Sequence, residues 1–205
     1  MNRVDLITAA LSDSHREDYI TFATRFLQEA EALISSRLEY YSLEYTLTDT
    51  DRVTALSPVY NQPPRVTLVR ELLRGSDGYR LDAVDEGVIS QWQNASVVLA
   101  YVVRPKTFML AGNPGAGSTF TLQYFGMPAP LVADTDTNTL LNDYQQLYKE
   151  AFMVSVYKRA NDLEKASAMF QSVNALIDEL NRKMKKLIGG ARSSNPYNTQ
   201  WRSSY

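Results

Sequence analysis

The first forty residues alternate apolar and polar positions with a helical period. Asp5 to Leu11 reads as a short helix running into a turn at Ser12-Asp13-Ser14. Ser14 and Glu17 have the spacing of a capping box, which predicts the start of a second helix. Its apolar residues Tyr19, Phe22, Phe26, Leu27, Ala30, Leu33, Ile34 and Leu38 fall at three- and four-residue steps, one buried stripe to about Leu38. From Leu43 to about Tyr124 the pattern favours strands broken by Pro, Gly and Asp turns. Arg65 to Arg70 is rich in β-formers, and Tyr79 to Val84 alternates with period two. Val97 to Val103 is the most hydrophobic stretch and predicts a central strand. Thr107 to Leu110 and Thr119 to Tyr124 flank Gly112-Asn113-Pro114-Gly115-Ala116-Gly117, which predicts a hairpin with a longer loop.

Pro128 and Pro130 end the β region, and Thr135 to Asn138 is a polar connector. Asn142 or Asp143 is placed to cap a helix from about Asp143 to Ala160, carrying Leu147, Tyr148, Ala151, Phe152, Val154 and Tyr157. Asn161-Asp162 punctuates. A last helix runs to Ile188 through Leu163, Ala166, Met169, Phe170, Val173, Leu176, Ile177, Leu180 and Leu187. Its basic end (Arg182, Lys183, Lys185, Lys186) complements the helix dipole, and Gly189-Gly190 is expected to stop it. The predicted fold class is α+β: mainly an α-helical bundle with an inserted small antiparallel β region and an extended C-terminal arm. The expected boundaries are helices over 1–42, the β-rich insertion over 43–131, completing helices over 132–188 and the arm over 189–205. There is no internal repeat.

Composition narrows the chemistry. The 205 residues carry a net charge of −2, so no overall basic field points to nucleic acid as the main ligand. With no cysteine, disulfides and thiolate metal sites drop out, the single histidine, His15, argues against a histidine-rich metal site or a Ser-His-Asp triad, and a reducing cytoplasm is the expected place of synthesis. No signal-peptide pattern opens the chain, and no apolar run approaches the roughly 20 residues that span a bilayer. A soluble protein with no membrane partner is expected.

The candidate motifs are mostly weak. The Gly112–Gly117 loop lacks the Lys-Ser/Thr of a phosphate loop and precedes a strand, so a plain turn is the better reading. Asp49-Thr50-Asp51 and Asp134-Thr135-Asp136 place acids two apart without the Gly and distal Glu of a calcium loop, which favours solvated turns over cation sites. Asn94-Ala95-Ser96 matches a glycosylation sequon without meaning in a cytoplasmic chain. Glu29, Glu31, Glu39 and Glu44 leave open only paired-carboxylate glycoside cleavage, against the simpler reading of a solvated charged face. No catalytic residue, metal or cofactor is assigned.

The last seventeen residues stand apart. Gly189 to Tyr205 holds no acid and is too polar to build a core. Tyr197, Trp201 and Tyr205 nevertheless recur every four residues, with Arg192 and Arg202 beside them. Trp, Tyr and Arg are the types most enriched at binding hot spots, and thirteen Tyr against seven Phe extend that bias over the chain. By composition alone this tail binds something.

The order of several stretches resembles the head-to-tail adaptor proteins of tailed bacteriophages. The resemblance rests on Leu6-Ile7-Thr8-Ala9-Ala10-Leu11 before a helix ending Ala30 to Leu38, then Pro64 to Val69 and Tyr79-Arg80-Leu81. It continues through Thr119 to Leu131, the Thr-Asn-x-Leu-Leu signal at Asp136 to Leu141, and Leu147-Tyr148-Lys149-Glu150-Ala151. The chain departs from the family at Ser90 to Ala95, where a Gly-Pro-rich turn is usual, and at Asn113-Pro114-Gly115. The resemblance implies a homo-oligomeric ring, a dodecamer in the family, that docks under the portal protein and gives a channel for DNA ejection. DNA would pass the lumen without specific binding, and a tail or nozzle protein would bind below. The arm residues Arg192, Tyr197, Trp201, Arg202 and Tyr205 would then hold the portal. Another neck or tail-completion ring, or a virion cell-wall hydrolase, stays open at this stage.

Overall fold

A computed structural model describes residues 1–39, 41–55, 57–92 and 94–192, with side chains through residue 187. The protein is α+β. It divides into a helical unit, Met1–Tyr41 with the chain from Pro128, and a β unit, Ser42–Met127.

In the helical unit, α1 (Arg3–Asp13) opens on a capping box that the sequence reading placed elsewhere. The Asn2 side chain accepts from Asp5 N at 2.9 Å, and the Asp5 carboxylate accepts from Asn2 N at 3.3 Å. Ser14, expected to start the next helix, instead ends this one. Its hydroxyl donates to Leu11 O, while the amides of His15 and Arg16 close on Ser12 O and Leu11 O. This is a Schellman closure with His15 in the left-handed position at φ 53°. A Ser-x-x-Glu spacing starts a helix only where the chain has left the previous one. Here Glu17–Phe22 is a 3₁₀ turn, and α2 spans Ala23–Arg37. Gly is the unstrained residue at such a position. His15→Gly is therefore expected to raise stability by about 0.5 kcal/mol and His15→Val to lower it by about 1 kcal/mol, read from urea midpoints.

After the β unit come α3 (Thr139–Asp143), α4 (Gln145–Arg159) and α5 (Leu163–Arg192). The predicted cap at Asn142 or Asp143 is overturned: Asn138 caps α3, its Oδ1 accepting from Leu141 N at 2.8 Å. Its amide also donates to Ala129 O and the Tyr148 hydroxyl, at 2.9 and 3.1 Å. The Thr-Asn-x-Leu-Leu signal is thus a cap followed by two fully buried leucines, Leu140 and Leu141. Asp143 has another task. It accepts from the buried Tyr41 hydroxyl at 2.6 Å, and burial, then that bond, raises the Tyr41 pKa. The helix predicted from about Asp143 to Ala160 is found as α4, set off from α3 by Tyr144, where φ −135° and ψ 55° leave the helical region.

Along α4, Leu147, Tyr148, Glu150, Ala151, Phe152, Met153, Val154, Ser155 and Val156 are all buried, because α1, α2 and α5 all pack on it. A helix covered all round is the core of its bundle. Asn161, at φ 58°, closes α4 by a second Schellman pattern, with Asp162 N on Tyr157 O at 3.0 Å. Asp162 then caps α5 by accepting from Lys165 N at 3.2 Å. That backbone bond, with the Lys165 ammonium beside it, holds the Asp162 carboxyl below its usual range.

The expected stop at Gly189-Gly190 is also corrected: α5 continues through both glycines to Arg192. Glycine weakens a helix by about 1 kcal/mol relative to alanine, yet it still supplies its N–H and C=O. The preceding turns outweigh that cost.

The β unit contains β1 (Ser42–Leu47), β2 (Val59–Asn61), β3 (Val66–Arg74), β4 (Asp82–Ala83), β5 (Ala100–Val103), β6 (Thr107–Ala111) and β7 (Phe120–Gly126). One sheet has the order β1-β7-β3, all antiparallel, and the other β2-β6-β5-β4, in which β4 and β5 run parallel. Leu47, Leu72, Phe120 and Leu122 of the first sheet meet Tyr60, Phe108 and Leu110 of the second in one core. The first and last strands are neighbours, from Ser42 opposite Phe125 to Leu47 opposite Phe120. The chain therefore enters and leaves the unit side by side, which suits an insertion.

Two strand expectations shrink: Val97–Val103 forms a strand only from Ala100, and Tyr79–Val84 only at Asp82–Ala83, with an isolated bridge between Arg80 and Leu73. The predicted hairpin around Gly112–Gly117 is wrong, since β6 and β7 belong to different sheets and the loop carries the chain between them. Arg52, with only 3% of its side chain exposed, pins that loop. Its guanidinium donates to Pro114 O at 3.1 Å and Gly115 O at 2.8 Å, and it pairs with Asp49 at 2.7 Å. Asp49 in turn accepts from Gly117 N at 2.6 Å. The hairpin of this region is β5–β6, closed by Arg104 N on Thr107 O.

Candidate functional site

Of the tail residues singled out by composition, Tyr197, Trp201, Arg202 and Tyr205 lie outside the described residues, and Arg192 closes α5. The structure therefore speaks for the base of the tail. Along α5 the buried stripe runs Ala166, Val173, Ile177, Leu180 and Met184, and Leu187 is already 42% exposed.

Polar contacts hold the same stretch. Asn181 Nδ2 donates to Arg37 O at 3.0 Å, while Asn181 Oδ1 accepts from Glu39 N at 3.0 Å. One turn on, Lys185 pairs with the Glu39 carboxylate at 3.0 Å. The Arg37 guanidinium lies over the Phe170 ring, 4.9 Å from its centre. Asn181 thus satisfies one of the open carbonyls at the end of α2 as well as the next free amide. Sequence reasoning missed it. The available signal was an Asn, a poor helix former, set between Leu180 and Met184 in an otherwise regular apolar pattern.

The basic residues near the end of α5 do less for its dipole than expected. The helix ends at Arg192, so they sit more than one turn inside it, where the dipole effect has faded. They serve local contacts instead. Lys183 pairs with Glu179 at 2.9 Å, and Arg182 donates to Asp178 O at 3.2 Å.

Of the acids weighed for other chemistry, Glu29, Glu31, Glu39, Asp49, Asp51, Asp134 and Asp136 are engaged in the fold. Asp134 pairs with the buried Arg3, and Asp136 accepts from Val132 N and Ala133 N at 2.8 and 2.7 Å. Asp51 closes the turn after β1 by accepting from Thr48 N at 2.8 Å. Glu31 accepts from Leu131 N at 2.8 Å, and Glu39 belongs to Lys185. Burial would raise the Glu29 pKa, but the bonds from Ser155 and Arg25 outweigh it and hold the carboxyl low. A general acid for glycoside cleavage needs the opposite shift. Among the described residues no group of three or more His, Asp or Glu could hold a metal ion. No helix among them is long and apolar enough to cross a membrane.

The described residues thus give a helical bundle with an inserted β unit, whose longest helix leads toward an aromatic- and arginine-bearing tail. Comparison with protein families makes this specific. The SU10 adaptor protein family model matches residues 1–200, and the chain belongs to that family, a bacteriophage head-to-tail adaptor family. No curated protein matches the chain.

Proposed function

We propose that the chain is the ring-forming adaptor of a tailed-phage neck, joining the DNA-filled head to the tail. Copies close a ring, a dodecamer, by head-to-tail contacts between identical neighbours. The ring docks under the portal protein and binds a tail or nozzle component below. DNA leaves through the lumen without specific binding, for which a chain of net charge −2 is better suited than a basic one. Its role is structural, in the virion neck, after assembly in the host cytoplasm.

The observation that carries this reading is the family match over residues 1–200, which takes in both units and most of the tail. The arm over 189–205 clasps the portal through Arg192, Tyr197, Trp201, Arg202 and Tyr205. Its first residues continue α5 as helix to Arg192, so the clasp starts from the end of a thirty-residue helix. Once the ring is seated, each arm meets its site at high effective concentration, and many modest contacts sum to a firm joint. Trp201→Ala is expected to weaken the titrated affinity for portal rings by about 2 kcal/mol per arm, the scale of an aromatic hot spot. An unchanged titration would count against the clasp.

A further inference from the structure

The end of α5 is held to the helical unit in two different ways. Leu180 and Met184 bury apolar surface, which binds but is non-directional. Asn181 and Lys185, one turn apart, grip two residues at and just beyond the end of α2, Arg37 and Glu39, through backbone and carboxylate. Paired hydrogen bonds fix rotation and tilt, which sliding apolar contact does not. The Asn181 amide donates to Arg37 O from Nδ2 while it accepts from Glu39 N at Oδ1; Ala has neither group and an ionised Asp has no donor, so both break the pair. Beyond Lys185 the helix continues for seven residues to Arg192, about 10 Å of rod at 1.5 Å per residue. A small error in tilt at Asn181 is thus magnified at the point where the tail begins.

We propose that Asn181, with Lys185 and Glu39, is the positioning latch that sets the direction in which the tail leaves the bundle. This rests on the reading that the tail binds the portal, and it assigns the latch no contact with the partner. Its effect is pre-organisation: the arm reaches its site without first ordering its own base.

The chain has no cysteine, so paired spin labels can be placed cleanly at Gln28→Cys on α2 and Lys186→Cys on α5, both exposed. In the full-length protein the latched form should give a narrow distance distribution. Asn181→Ala should broaden it and weaken portal-ring binding roughly tenfold, with helicity by circular dichroism unchanged. Glu39→Lys should act similarly, and adding Lys185→Glu should restore both readouts. This second pair guards against a simple folding defect at Asn181. A distribution that stays narrow in Asn181→Ala overturns the latch, as does broadening with wild-type affinity. Removal of Asn195–Tyr205 in the same assay separates the two ideas. If that deletion abolishes binding while Asn181→Ala binds normally, the latch alone fails. If the deletion binds normally, the clasp reading fails, and the latch's role in portal binding falls with it.

Discussion

Deleting Asn195–Tyr205 is expected to abolish cosedimentation with portal rings while leaving the rest of the chain folded. The removed segment begins after α5 has ended at Arg192 and contains no residue of a described helix, strand or core. It takes away Tyr197, Trp201, Arg202 and Tyr205 together. Each such residue at a hot spot is worth on the order of 2 kcal/mol, and although such values do not add strictly, the loss exceeds what a single arm could spare. In a ring the effect multiplies, because every copy loses its intramolecular second contact. Circular dichroism and the urea midpoint should match the parent protein. Portal binding at the parental level would refute the clasp, whereas a lost helical signal would show that the tail supports the fold.

The largest expected loss of stability is Gly112→Ala in the β unit, about 3 kcal/mol. Two penalties coincide there. Gly112 has φ 109°, a region closed to residues with a side chain. An added Cβ would also lie 2.6 Å from Val97 O and 3.0 Å from Val98 Cα, both backbone atoms that cannot swing aside. Gly117, in the same loop at φ 76°, is the control, since nothing lies within 4 Å of its Cβ position. Gly117→Ala should cost about 1 kcal/mol, from backbone strain alone. Urea denaturation of both variants checks the contrast, and equal midpoints would mean that the close approach to Val97 relaxes without cost.

The same loop shows where sequence reading failed. A glycine-rich link between two strands reads as a hairpin because hairpins are the commonest short connection. Nothing local says that Arg52, some sixty residues earlier, reaches under the loop to hold Pro114 O and Gly115 O and that the chain changes sheets there. The caps failed for a related reason. Ser14, Asn138, Asn142 and Asp143 are all plausible starts by residue type, and the choice among them depends on which backbone amides remain unpaired once the helices pack. By contrast, the apolar period of α2 and α5 was legible, because each buries one broad stripe against the bundle. For the candidate site, the tail's aromatics and arginines stood out by type alone, while Asn181 did not. Its importance lies in Arg37 and Glu39, more than 140 residues away in the chain.

By itself the sequence determined the order of helices, β region and helices, the inward stripe of each long helix, and a tail too polar to build a core. Those are local properties: side-chain period and residue type say which face is buried and which segment cannot be. Only the tertiary structure decided that β7 lies between β1 and β3, that β6 belongs to another sheet, that α4 is covered all round, and that α5 runs past its glycines. Pairing and cover depend on which distant surfaces meet, and a period of 2 or 3.6 residues marks a face without naming its partner.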